Sequence, residues 1–143
     1  MTLYQIVSSA IILLFSIILS VQDIKRLEVG IYIQWASIFC ALICHIIFAR
    51  QQLWIFIISA MIFGALYFAV RKITKNRLGT ADVWFGIFQG LFLYPDKLWI
   101  CLAAEVLLAL CIVNKKIGQK AFPFIPFMSF GLILSFIIQT VLN

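Results

Sequence analysis

Two carboxylates are the groups in this sequence best suited to chemistry. Asp23 follows an apolar run at residues 3–21. Asp82 lies in Arg77-Leu78-Gly79-Thr80-Ala81-Asp82-Val83-Trp84, where a basic loop passes into another apolar run. The only other acids in the chain are Glu28, Asp96 and Glu105. Two carboxylates brought together cannot both ionise cheaply, so they share a proton and titrate as a unit. The ionised member can then take a proton from water while the protonated member donates to an amide oxygen or a leaving nitrogen. Peptide hydrolysis by this route needs no metal or organic cofactor, and the sequence offers neither a metal-ligand cluster nor a phosphate loop. Each acid also has a plainer reading. Asp23 can be a juxtamembrane charge screened by Lys25 and Arg26, and Asp82 a first-turn residue of a helix capped by Thr80. The elements that hold the two acids decide between these readings.

Those elements are membrane spans. Of 143 residues, 65% are hydrophobic and 11% charged, with a mean hydropathy of +1.15. Soluble domains run at about 45–50% apolar and about 25% charged, so composition excludes a water-soluble fold. A crossing helix takes roughly 20 apolar residues. The apolar runs predict an all-α bundle of six spans in a single polytopic domain, residues 1–143. They fall at residues 3–21, 31–49, 53–70, 80–94, 98–113 and 127–142. Residues 1–5 carry no basic side chain, so the first run reads as a retained span and not as a signal peptide. Cys40, Cys44, Cys101 and Cys111 all lie in apolar runs without a Cys-x-x-Cys pair, so neither zinc nor a disulfide framework is expected.

The net charge of +6 comes from short loops between spans and calls for a bilayer, not nucleic acid, as the partner. Nine of the eleven basic residues follow spans 1, 3 and 5, and two follow spans 2 and 4. By the positive-inside rule the first set of loops is cytoplasmic and both termini are outside. Span 1 then runs inward to Asp23, and span 4 runs outward from Asp82. Both acids reach the cytoplasmic end.

Three blocks of residues carry a family resemblance. Asp23-Ile24-Lys25-Arg26-Leu27-Glu28-Val29 places an acid and a basic, polar stretch at the end of a span. Gly79-Thr80-Ala81-Asp82-Val83 is close to Gly-x-Gly-Asp, with Gly90 eight residues after the acid. Pro123-Phe124-Ile125-Pro126-Phe127, with Gly131, leads into the last span. Together they resemble the type IV prepilin peptidases, small integral-membrane aspartyl proteases. The resemblance implies an aspartic endopeptidase that removes the leader of prepilin or pseudopilin-like proteins at the cytoplasmic face of a prokaryotic plasma (inner) membrane. It implies Asp23 and Asp82 as the catalytic pair, with Gly79 and Ala81 shaping the backbone beside Asp82. Nothing matches the cysteine-containing N-terminal domain of longer members, so the chain looks like the short, peptidase-only form. Ala81 stands where the motif has its second glycine, Gly30-Ile31 where the family often has Pro-Asn, Trp84 at a frequent lysine, and Ile125 at a glycine.

Glu105, midway along span 5, is costly there unless paired. Gln89 and His45 are the partners in reach, and a role in substrate contact or in bundle polarity stays open. Pro126 belongs to the same class of substrate or structural residue. His45 reads as a core histidine, and Trp35, Trp54, Trp84 and Trp99 lie near span ends as an interfacial belt. Two rival functions stay open. One is a catalytically weak relative that binds pilin-like helices, which Ala81 favours. The other is a small proton-coupled carrier built on Glu105 and the aspartates.

Charge placement makes a direct prediction about topology. A reporter fused after Lys75 is expected to report cytoplasm, and one fused after Asn143 the outside. A cytoplasmic C-terminal fusion would undo the six-span arrangement.

Overall fold

The computed structural model describes residues 2–75, 78–113 and 122–142. Arg77 of the motif stretch, and Lys115, Lys116 and Lys120 of the loop after span 5, lie outside these residues. Among the described residues the chain is all helical: α1 (Leu3–Arg26), α2 (Ile31–Phe48), α3 (Leu53–Ile73), α4 (Thr80–Gly90), α5 (Leu98–Val113) and α6 (Ile125–Leu142). A single 3₁₀ turn at Arg50–Gln52 precedes α3. Four helical segments, α1, α2, α6 and Arg50–Ile73, are long and apolar enough to cross a membrane.

The surface is apolar, and the interior holds polar side chains among its apolar ones. Leu14, Ile47, Trp54 and Leu107 are exposed, whereas Ser8, Gln34, Ser37, Ser59, Ser135 and Gln139 are buried. Packing in lipid gains nothing from burying more apolar area, so small and polar residues draw the helices together. On α1 these residues form one stripe, Ser8, Ile12, Ser16, Leu19 and Asp23, at helical spacing. Ser8 meets the Cys44 thiol of α2 at 3.7 Å, and Ser20 meets Ser129 of α6 at 3.0 Å.

Side-chain bonds between helices define two ends of the bundle. At one end, Ile125 N–H of α6 donates to Asp23 of α1, and Gln34 of α2 donates to the Ala81 carbonyl of α4. At the other, Tyr4 of α1 approaches His45 of α2, and Tyr94 donates to Gln52. The C-terminus of α1 and the N-termini of α2, α4 and α6 therefore share one end.

Several boundaries differ from those read in the sequence. Helix α1 continues beyond residue 21 to Arg26, so Asp23 is part of the helix and does not follow it. Helix α6 begins at Ile125, two residues early, because Asp23 satisfies its first amide. The fourth run is not a helix over residues 80–94, since α4 stops at Gly90. Its eleven residues rise only about 16 Å, against about 30 Å of hydrocarbon. Helix α5 has 16 residues, and so four of the six expected spans meet the length of a crossing helix.

Helix α4 is nonetheless the centre of the fold. Phe85 and Phe88 are buried on it, and Leu91, Phe92 and Leu93 stay buried after it ends. The rings run in a chain from Phe85 to Phe88, Phe92 and Phe136, with centroids 5.3–6.4 Å apart. Helix α3 lies tight against α4 at Gly90. A Cβ added there would lie 2.6 Å from both the Ala60 nitrogen and the Ser59 carbonyl oxygen, which are backbone atoms unable to swing aside. Gly90→Ala is expected to destabilise the protein by about 1–3 kcal/mol, the usual cost of overpacking. A thermal melt in detergent measures this against Gly30→Ala, where the nearest atom lies at 3.8 Å and the change should stay within about 0.5 kcal/mol.

Candidate active site

Asp82 sits in the first turn of α4 because the residues before it stop the chain from being helical. Gly79 is extended at φ −68°, ψ 157°, and serves as the N-cap in place of the expected Thr80. The Asp82 carboxylate turns back and accepts the Gly79 amide at 2.9 Å. This is half of a capping box, since glycine has no side chain to return the bond. A negative charge in the first turn also faces the positive end of the helix dipole. Ala81, one residue earlier, lies within the regular helix and has no left-handed φ. An ordinary helical backbone suits alanine as well as glycine, so the departure from Gly-x-Gly-Asp introduces no strain here. The Ala81 carbonyl also accepts Gln34 Nε2 of α2 at 2.9 Å, which ties the turn to its neighbour.

Asp23 arrives from the opposite direction, one turn from the end of α1. The chain leaves that helix through Leu27, whose φ of 53° is left-handed and whose amide closes on the Asp23 carbonyl. The Asp23 carboxylate accepts the Ile125 amide at 3.0 Å and so caps a different helix, α6. Pro126 follows inside the first turn of α6, where a missing N–H costs nothing.

Both carboxyls are buried, each residue keeping only 7% of its surface accessible. They share one end of the bundle, Asp82 holding the start of α4 and Asp23 the start of α6. Among the described residues no lysine or arginine pairs with either, the one ion pair being Lys97 with Asp96. Each uses a single oxygen, Oδ2, to hold a backbone amide. The arrangement can therefore take and give a proton at one end of the bundle. Beside it opens a cleft of about 400 Å³, walled by Leu27, Glu28, Val29, Ile31, Gln34, Gly79, Thr80, Ala81 and Trp84. Trp84 packs at a tilt against Trp35, centroids 4.9 Å apart, while Trp54 and Trp99 are exposed. Among the described residues no three His, Cys, Asp or Glu side chains gather as metal ligands would.

Glu105 lies deeper and is fully buried. It accepts from Tyr67 Oη, from Gln89 Nε2 at 2.5 Å and from Cys101 Sγ at 3.1 Å. The expected partner Gln89 is present, whereas His45 is not. His45 is a core residue at the other end, stacked on Phe56 at 4.5 Å. Sequence reasoning missed Gln34 and Tyr67, since a single buried amide or phenol in an apolar run carries no spacing signal. The chain matches no family model, no curated protein and no solved structure.

Because each aspartate caps a helix, its structural and chemical uses can be separated. Asparagine keeps an acceptor oxygen and alanine does not. Asp23→Ala and Asp82→Ala are each expected to melt as if about 1 kcal/mol less stable than the matching Asn variants, the usual worth of a cap. Equal melting of the Ala and Asn variants would show that the caps contribute nothing.

Proposed function

We propose that the chain is an integral-membrane aspartyl endopeptidase of the prepilin peptidase type. It would cross the membrane six times, with α4 and residues 91–94 together making the fourth crossing and both termini outside. The observation that carries this reading is that Asp23 and Asp82 are both buried at one end of the bundle and that, among the described residues, neither pairs with a lysine or arginine. The three motif blocks and the positive-inside count support it independently, the latter assigning that end to the cytoplasm.

The reaction needs one carboxylate and one carboxylic acid. The ionised aspartate takes a proton from water, whose oxygen bonds to the scissile carbonyl carbon. The protonated aspartate gives its proton to the carbonyl oxygen. Collapse of the tetrahedral intermediate breaks the carbon–nitrogen bond: the leaving amine takes up the proton first removed from water, and the other aspartate takes back a proton from one hydroxyl, which leaves a carboxylic acid and restores the pair. The substrate is another membrane protein whose apolar stem lies along the bundle. Its leader enters the cleft beside α4, which has the volume of a small-ligand site. Since one carboxyl must be charged and the other neutral, rate against pH should be bell-shaped.

Co-expression with a prepilin-like protein, with leader loss followed by mass, tests the proposal. Asp23→Asn and Asp82→Asn should each slow cleavage by about 10²–10⁴-fold, the range for a general acid–base group. The double variant should be scarcely slower than either single one, because the two act as a unit. Asp96→Asn, which is exposed and paired with Lys97, should cleave at the parental rate. Near-parental cleavage by either aspartate variant would remove the assignment.

A further inference from the structure

We infer that Glu105, which no motif includes, is a positioning residue for Asp82 and acts through Tyr67 and Gln89; the inference rests on the peptidase reading above. Asp82, Gly86 and Gln89 follow one another at helical spacing and share a face of α4. All three are buried. Tyr67 of α3 packs against Gly86, so closely that any Cβ there would overlap its ring. Its hydroxyl donates to Glu105 of α5. One turn further along α4, Gln89 Nε2 donates to the same carboxyl at 2.5 Å and to the Met128 carbonyl of α6 at 2.8 Å. Glu105 is itself pressed against α6, where a Cβ on Gly131 would meet its Cγ at 2.7 Å. One carboxyl thus gathers α3, α4, α5 and α6 around the face that carries Asp82.

A helix of eleven residues depends on such contacts for its orientation. Short helices are marginal by themselves, and α4 lacks a side-chain N-cap and ends in a buried turn. Its rotation fixes where the Asp82 carboxyl points. Glu105 is fully buried on α5 at the level of Gln89, two turns along α4 from Asp82, and its carboxyl is taken up by Tyr67, Gln89 and Cys101. It therefore sets the position of Asp82 without touching substrate.

The test uses the full-length protein in detergent, with a prepilin-like protein as substrate. Glu105→Leu and Tyr67→Phe should each lower kcat by about 10²-fold, the scale of an ångström-sized misplacement, with KM unchanged. The double variant should match the worse single one, since the two residues form one unit. Glu105→Gln keeps an acceptor for Tyr67 and should restore kcat to within about tenfold of the parent. Tyr67→Phe retains the ring on Gly86 and gives an answer even where Glu105→Leu fails to fold. Parental kcat in Tyr67→Phe, or loss of rate in strict proportion to loss of folded protein, overturns the inference. Asp82→Asn tells the two failures apart. If it is inactive while the Glu105 and Tyr67 variants cut normally, only the positioning role is wrong. If it cuts at the parental rate, the peptidase reading fails and the inference goes with it.

Discussion

A helix that stops inside a bundle leaves backbone groups that lipid cannot satisfy, and this constraint governs the centre of the molecule. Helix α4 ends at Gly90, yet residues 91–93 remain buried. Non-helical backbone at such depth persists only where protein supplies its partners. Gln139 of α6 supplies two. Its Nε2 donates to the Phe92 carbonyl at 3.0 Å, and its Oε1 accepts the Tyr94 amide at 2.8 Å. One amide side chain thereby stands in for the next turn of helix. Tyr94 then reaches Gln52 through its hydroxyl, which fixes the chain as it leaves the bundle. With its C-terminal end held in this way, α4 can be short, and Asp82 can begin a helix whose far end is already anchored.

Interior polarity follows a single rule among the described residues: the buried acids meet neutral donors and no cations. Asp23 holds an amide, Asp82 holds an amide, and Glu105 holds a phenol, a carboxamide and a thiol. A lysine beside any of them would bind the charged form and keep it ionised. Neutral dipoles orient a carboxyl without fixing its charge, so the proton remains exchangeable. A pair that must hold one proton between two carboxyls needs this arrangement. The seven described cations lie in turns and at helix ends instead. Lys25 and Arg26 close α1, Arg71 and Lys72 close α3, and both pairs face the negative ends of helix dipoles.

How much of this was legible in the sequence depends on what signals each feature. Apolar runs mark helices because they need only composition, and α2, α3 and α5 fall within a few residues of their expected limits. The break after Gly90 was hidden because Leu91, Phe92 and Leu93 are as apolar as the helix before them. Pro95 keeps the helix from running past residue 94, but it does not set the stop at Gly90. The stop is a tertiary effect, set by the close approach to Ala60 and by Gln139, some fifty residues away. The acids could be found because acids are rare here, and Glu105 could be paired with Gln89 because both lay at similar depth. His45 lay at similar depth in the sequence too, but it belongs to the opposite end, and apolar runs carry no information about which faces meet. Gln34 and Tyr67 had no signal at all, since their roles exist only once four helices are assembled.

The plain and chemical readings of the two aspartates therefore do not compete. Each carboxyl holds its backbone amide through Oδ2 alone, and the same bond fixes where the rest of the group sits. Asp82 is tied to the loop that starts its own helix, and Asp23 is tied to the first amide of another. Their separation is consequently set by backbone positions in α1, α4 and α6, not by flexible side chains. A pair of acids that shares a proton needs such rigidity, because small changes in separation alter their coupling steeply where water is scarce. Helix capping is a direct way to obtain it: the cap requires an acceptor at a helix start, and the chemistry requires an acid at the end of a bundle. In the proposed peptidase the two requirements fall on the same two residues.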